Sequence, residues 1–150
     1  MKLETHSFGT LEYEEKAVIH IREGMLGFAQ FKRYILIENE EIQPFKWLQS
    51  VDDPYVSFPV IDPHLALHDY TFVIASEDLH GLQIEDQADV VALVVAVIPE
   101  EPLQTTVNFK APLLINHKSM IGKQVVLTHS DYHSQQPLVF QASNAAIGPQ

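Results

Sequence analysis

An unbroken apolar run that ends at two closely spaced prolines is the feature that most constrains the fold. The segment Val91–Ile98 contains only Val, Ala, Leu and Ile. Its β-branched residues favour a strand over a helix, and apolar residues on both faces are typical of a central, buried strand. Pro99 and Pro102 then end the pairing, because proline has no backbone N–H to donate. We predict a buried central strand here.

Short apolar runs between turn residues make up most of the remaining chain. Nine prolines and six glycines separate runs rich in Val, Ile, Phe and Tyr, which is the pattern of many short strands. Short helical turns are predicted at Ala29–Arg33 and from Ser76, with Ser76 as the N-cap. The other predicted strands are Leu3–Phe8, Ala17–Ile21, Tyr34–Ile37, Lys46–Gln49, Val56–Val60, Tyr70–Ile74, Gln83–Glu85, Leu113–Asn116 and Gln124–Leu127.

About ten short strands must protect their edges, and closure into a barrel removes edges altogether. We therefore predict an all-β fold, a compact antiparallel β-barrel-like single domain, with a two-sheet sandwich as the competing arrangement. The length of 150 residues is that of one domain. The predicted domain covers residues 1–140. Residues 141–150 have no strand pattern and are predicted to form a flexible C-terminal tail.

The charge balance excludes one class of partner and favours another. The chain has 9 Lys and Arg against 20 Asp and Glu, a formal net charge of −11. Nucleic-acid affinity depends on Lys and Arg contacts to phosphates, so direct nucleic-acid binding is not expected. An acidic surface speeds encounter with basic proteins, although it also serves solubility alone.

The N-terminus has no apolar segment of a signal peptide. The longest apolar run is far shorter than the ~20 residues of a membrane-spanning helix. A soluble, cytoplasmic protein without membrane contact is therefore expected. The chain has no cysteine, which excludes disulfides and thiolate chemistry.

Catalytic and metal-binding patterns are weak. No nucleophile elbow, phosphate-binding loop or zinc-protease motif occurs. His64 and His68, and likewise His129 and His133, are four residues apart, the spacing that puts two ligands on one helical face. Their polar, turn-rich surroundings favour solvated loop histidines. We expect no enzyme activity, no metal and no cofactor.

Three segments offer candidate partner-binding residues. Phe45 and Trp47 share one face of a strand, and aromatic residues serve both as interface anchors and as core residues. A position in the barrel interior is the favoured interpretation for both. Asn108 and Lys110 precede a second apolar strand, and the asparagine has a local turn-forming role available. Glu100 and Glu101 lie between two prolines that stiffen their loop.

These segments, in their order and spacing, resemble those of the flagellar assembly factor FliW family. The resemblance extends from about Leu3 to Leu138. Its motifs are Gly24–Phe28, Pro44–Ser50 followed by Asp53, Val60–Pro63, the Val-rich strand ending at Ile98–Pro99, Asn108–Asn116 and Gly122–Leu127.

The resemblance implies a β-barrel-like fold without enzymatic activity and with two protein partners. One is the carbon storage regulator, a small basic RNA-binding translational repressor, and the other is flagellin. Binding of the regulator would relieve repression of flagellin translation, and cytoplasmic flagellin would compete for the same factor. Two alternatives remain open at this point: a small-ligand or cofactor-binding β-barrel, and a flagellin chaperone that only shields apolar surface.

Overall fold

Eleven short strands account for most of the regular structure. The computed structural model describes residues 1–138. The strands are β1 Lys2–Thr5, β2 Gly9–Glu12, β3 Ile19–Ile21, β4 Arg33–Ile37, β5 Lys46–Ser50, β6 Ser57–Ile61, β7 Val90–Val97, β8 Thr106–Val107, β9 Leu113–Asn116, β10 Ile121–Gln124 and β11 Gln136–Pro137. Two short α-helices, α1 (Pro63–Ala66) and α2 (Ser76–Gly81), lie between β6 and β7. Four 3-10 turns are Glu15–Ala17, Glu40–Ile42, Gln87–Asp89 and Pro102–Gln104.

Seven of the strands close into a barrel in the order β7–β6–β5–β4–β3–β10–β9, with β9 paired back to β7. The closing pair matches Val90 with Asn116 and Leu93 with Leu113. The predicted all-β barrel is thus confirmed. Its antiparallel character has one exception, because β10 runs parallel to β3, pairing Ile121 with His20.

Side chains fill the interior of the barrel. Residues that point inward from the barrel strands are almost completely inaccessible to solvent, and they form one apolar cluster. Its members include Ile19, Ile21, Tyr34, Leu48, Val60, Leu93, Leu113 and Ile115. Packed side chains in the middle of a small barrel make it a core and not a channel.

Three further apolar clusters cover the outside of the barrel. The β1–β2 hairpin places Leu3 against Val18 and Ile35 on one side. On another side, Tyr70, Phe109 and Leu138 pack over the outward residues of β6 and β7. Leu82, which follows α2, covers outward residues of β9 and β10 in the third cluster. The segments outside the barrel therefore cover the apolar residues on its outer face.

Strand β7 is longer than the barrel needs. Val94 and Val95 pair with β6, and beyond them Ala96 and Val97 pair with β8. Strand β11 adds to the other edge of β8. The predicted central strand Val91–Ile98 is observed as β7, Val90–Val97, but it is not buried throughout. Val97 is 63% exposed, because that part of the strand leaves the barrel.

Several predicted elements differ in the structure. Gln83–Glu85 is not a strand: Gln83 has a φ of 58° and ends α2, with its N–H bonded to the carbonyl of His80. Tyr70–Ile74 is a covering segment whose aromatic and aliphatic side chains pack on the outer clusters. Helix α2 begins at Ser76, but its N-cap is Ala75 and not Ser76. Of the predicted helical turn Ala29–Arg33, Ala29 and Gln30 form a turn and Arg33 begins β4.

The paired strands also differ from the prediction in extent. The hairpin strand β2 was not predicted, and β10 lies earlier in the chain than the predicted Gln124–Leu127. Neither strand has the apolar content on which the prediction rested. The predicted tail, 141–150, and the predicted domain end at 140 lie outside the described residues and stay predictions.

Candidate protein-binding surface

An exposed apolar surface lies where β7 leaves the barrel and turns into β8. Val97, Ile98 and Leu103 are 63%, 39% and 78% exposed. Glu100 and Glu101, both exposed, lie between them in the chain. We call these five residues the β7–β8 tip. Exposed apolar side chains with a polar rim are typical of a protein-binding site.

Local hydrogen bonds hold the loop that carries the tip. The Glu101 side chain accepts a hydrogen bond from the N–H of Leu103 at 3.4 Å and so caps the 3-10 turn Pro102–Gln104. The Thr105 hydroxyl donates to the carbonyl of Pro102 at 2.7 Å. Because the loop is already ordered, less conformational entropy is lost when a partner binds it.

The sequence analysis names Glu100 and Glu101 as candidates, which stays a prediction, and it misses their apolar neighbours. Val97 and Ile98 belong to the run that the sequence assigns to a buried strand. One signal was available, since Pro99 ends the pairing and nothing in the sequence provides a covering strand beyond it. Leu103, between prolines and polar residues, had no pattern that marked it.

Trp47 lies on the outer face of the barrel, not in its interior. Leu48 points into the barrel core, so the neighbouring Trp47 points outward. It is partly buried, and its ring meets the edge of Phe8 with centroids 5.8 Å apart. The predicted interior position is thus wrong for Trp47. The reason is that the hairpin tip, which carries Phe8, covers the outer face of β5 and provides an apolar environment there.

Phe45 also lies outside the barrel. It precedes β5 and packs, partly buried, against the outer cluster that contains Ile61, Val94 and Phe109. Its neighbour Pro44 follows a cis peptide bond from Gln43. The favoured interior interpretation is wrong for Phe45 too, while its role in packing remains.

Asn108 and Lys110 belong to a bulge between β8 and β9, two strands that pair with the same edge of β7. The Asn108 side-chain oxygen accepts hydrogen bonds from the N–H groups of Lys110 and Ala111, each at 3.1 Å. The carbonyl of Lys110 accepts from the N–H of Leu127 at 2.8 Å. Asn108 therefore has the local turn-forming role that its residue type suggests. The Lys110 side chain is partly buried.

His64, one of the histidines with a metal-ligand spacing, makes other contacts in the structure. A ring nitrogen of His64 lies 2.8 Å from the carbonyl of Tyr70, and the other ring nitrogen lies 3.5 Å from Asp62. Within residues 1–138, no three His, Asp or Glu side chains come together as a set of metal ligands. Nor does a helix in this part of the chain have the length and apolarity to cross a membrane.

Comparison with known proteins identifies the family. The family model described as "FliW protein" matches residues 2–138. This chain belongs to the FliW family. The flagellar assembly factor FliW of Thermoanaerobacter pseudethanolicus is 40% identical over 146 residues, which is 97% of each chain. That of Leptospira interrogans is 34% identical over 149 residues, 99% of each chain.

A solved FliW structure has the same fold. The crystal structure of the flagellar assembly factor FliW superposes with a TM-score of 0.88 at 32% sequence identity. The match covers 94% of this chain and 99% of the other. FliW membership thus confirms the resemblance noted in the sequence, and it agrees with the barrel described above.

Proposed function

We propose that this chain is a non-enzymatic, cytoplasmic regulator of flagellar assembly that switches between two protein partners. It binds the carbon storage regulator and so relieves repression of flagellin translation. Flagellin competes for it and thereby frees the regulator. FliW membership and the names of the two relatives described above, both flagellar assembly factors, support the role in assembly. The identity of the two partners rests on the family resemblance.

The observation that carries the proposal is the β7–β8 tip. The barrel interior is filled by side chains, so a partner must use the outer surface. The tip offers three exposed apolar side chains beside two carboxylates, and its loop is held by its own hydrogen bonds. Apolar contacts at the centre of an interface set the dissociation rate, and charges at its rim act on the association rate.

The charge of the whole chain supports the choice of a basic partner for this surface. The net charge of −11 attracts a basic protein over several ångströms at physiological salt. Glu100 and Glu101 have no ion-pair partner among residues 1–138. Their charges are therefore available to the regulator.

The test measures binding of the purified full chain to the purified carbon storage regulator and to purified flagellin. We expect a one-to-one complex with each, and release of the regulator when flagellin is added. Leu103→Ser should weaken regulator binding about tenfold, through faster dissociation, because an apolar anchor is lost. The matched control is Leu65→Ser on α1, where the leucine is 67% exposed; it should change affinity less than about twofold.

Each result separates the alternatives. A chain that binds neither protein overturns the proposal. A chain that binds flagellin but not the regulator is a chaperone that shields apolar surface. Equal losses of affinity for the regulator from Leu103→Ser and Leu65→Ser would show that the β7–β8 tip is not the interface, even if the partners are correct.

A further inference from the structure

A pocket with cationic walls lies on the outer side of the barrel, where β3 and β10 run parallel. Its volume is ≈ 510 Å³. It is lined by His20, Arg22, Lys32, Ser119 and Ile121. His20 and Ile121 are register partners across the two strands. Three potential cations around one concavity are unusual on a chain of net charge −11.

Arg22 and Lys32 have no carboxylate partner among residues 1–138. Five of the other cationic side chains are paired with carboxylates: Lys16, Arg33, Lys46, Lys118 and Lys123. Lys32, an exposed residue, donates from Nζ to the carbonyl of Arg22 at 2.7 Å, which places the ammonium beside the pocket wall. The charges of Arg22 and Lys32 are free to act on a ligand.

A polar group without a partner lies in the same wall. The Ser119 hydroxyl is buried and has no hydrogen-bond partner among the described residues. A buried hydroxyl without a hydrogen-bond partner destabilises the folded protein. Met120, the next residue, has a φ of 58°, a left-handed conformation that is uncommon for a residue other than glycine. Such local costs concentrate at functional positions.

We propose that this pocket binds a small ligand that carries a phosphate group. A guanidinium, an ammonium, an imidazole and a hydroxyl offer donors in several directions, which suits the tetrahedral oxygens of phosphate better than a planar carboxylate. The volume falls within the usual range of ligand pockets, roughly 300–1,000 Å³, and leaves room for more than the phosphate group. A nucleic acid is a poorer candidate, since the chain's net charge of −11 repels an extended phosphate backbone.

The test is a titration of the full chain followed by amide chemical shifts, with inorganic phosphate, adenosine monophosphate and adenosine as probes. We expect shifts at residues 20–22, 32 and 119–121 with both phosphates, tighter binding of the monophosphate, and no shifts there with adenosine. Arg22→Gln with Lys32→Gln should weaken phosphate binding at least about tenfold, since two charge-assisted hydrogen bonds are lost.

The matched control is Lys2→Gln with Lys16→Gln, which changes net charge by the same amount on the hairpin side of the barrel. It should alter affinity less than about twofold. Ser119→Ala provides a second measurement: it should raise the melting temperature of the free protein, because an unbonded hydroxyl is removed, and weaken phosphate binding. The proposal is overturned if either phosphate compound, at millimolar concentration, leaves the amide chemical shifts of these residues unchanged. It is also overturned if the two double variants lose equal affinity for phosphate.

Discussion

Two buried tyrosines differ in what their hydroxyl groups contact. Tyr70 donates to the carbonyl of Phe109 at 2.7 Å and joins the outer cluster to the bulge before β9. Tyr34 points into the barrel, and its hydroxyl has no partner among residues 1–138. A side-chain hydroxyl stabilises the fold only when it is bonded, so the two residues should respond differently to loss of the oxygen.

We predict that Tyr70→Phe lowers the free energy of unfolding by about 1–2 kcal/mol, because the Phe109 carbonyl is left without its donor. Tyr34→Phe should be neutral or slightly stabilising. Urea unfolding of both variants, followed by circular dichroism, checks the pair. Equal losses would mean that the Tyr34 hydroxyl is bonded in solution.

Tyr34 also makes the free energy of unfolding depend on pH in the alkaline range. Burial, with a smaller contribution from the charge of Asp52, raises the pKa of Tyr34 to about 12. An unfolded tyrosine has a pKa of about 10. Above that pH the unfolded chain has lost this proton while the folded chain keeps it, so folding becomes less favourable as pH rises.

We therefore predict that stability attributable to Tyr34 is fully present below about pH 10 and declines between pH 10 and about 12. The pKa of Tyr70 is raised in the same direction, mainly by burial. Unfolding measured across this range should show a shallower decline for Tyr34→Phe than for the parent. Parallel pH profiles would contradict the assignment.

Substitution of Trp47 measures how much an aromatic residue on the outer face of the barrel contributes to stability. Its ring is partly buried and contacts Phe8. We expect Trp47→Ala to lower the free energy of unfolding by about 1–3 kcal/mol, less than the roughly 3–5 kcal/mol of a fully buried aromatic residue. Leu48→Ala, in the barrel core, should cost about 2–5 kcal/mol.

Circular dichroism must follow this unfolding, because Trp47 is the chain's single tryptophan. A double-mutant cycle with Phe8→Ala should give a coupling of about 0.5–1.5 kcal/mol. A Trp47→Ala variant that keeps its melting temperature but loses partner binding would assign Trp47 to an interface.

At the scale of elements, the loop between β3 and β4 closes one end of the barrel. Met25 enters the barrel core, and Phe28 meets Phe58 edge-on with centroids 5.1 Å apart. Met25 and Phe28 form an isolated bridge, so the loop reverses tightly. Gly24 and Gly27 provide the left-handed backbone that this reversal requires, with φ of 71° and 85°.

The two glycines differ in the space around them, and this yields a matched prediction. A Cβ at Gly24 would lie 2.6 Å from the Cα of Ala29, whereas a Cβ at Gly27 would meet nothing within 4 Å. Gly27→Ala should therefore cost only the left-handed backbone, about 1–2 kcal/mol. Gly24→Ala should cost more than ~3 kcal/mol, since the backbone must also move. Thermal unfolding of both variants tests this difference. Similar melting temperatures would contradict the close contact between residue 24 and the backbone of Ala29.

At the scale of the whole molecule, acidity and partner choice are linked. Exposed carboxylates occur both at the β7–β8 tip and at the 3-10 turn Glu40–Ile42. The screening length is about 8 Å at physiological salt. A carboxylate therefore accelerates association strongly only when it lies near the contact surface.

We predict that Glu100→Lys with Glu101→Lys slows association with the carbon storage regulator about tenfold and flattens its salt dependence, with folding intact. Glu40→Lys with Glu41→Lys changes the net charge equally and should slow association much less. Stopped-flow kinetics at several salt concentrations provide the comparison. Association rates that do not depend on salt in the parent protein would show that the acidity serves solubility alone.

The sequence by itself determined the fold class, the central position of the strand predicted at Val91–Ile98, the acidic charge and the resemblance to the FliW family. These depend on local signals: β-branched runs, proline and glycine spacing, and charge counts. They act within a few residues and are visible without the fold. The turn-forming role of Asn108 belongs here too, because its partners are two and three residues away.

Only the tertiary structure decided which strands meet and what covers them. Closure through β7 and β9, and the parallel pair of β3 and β10, join segments far apart in the chain. The outward position of Trp47 depends on the hairpin that covers β5. The exposure of Val97 depends on the extension of β7 beyond the barrel. A period-two pattern places residues on alternate faces of a strand, but it does not say which face the rest of the chain will cover.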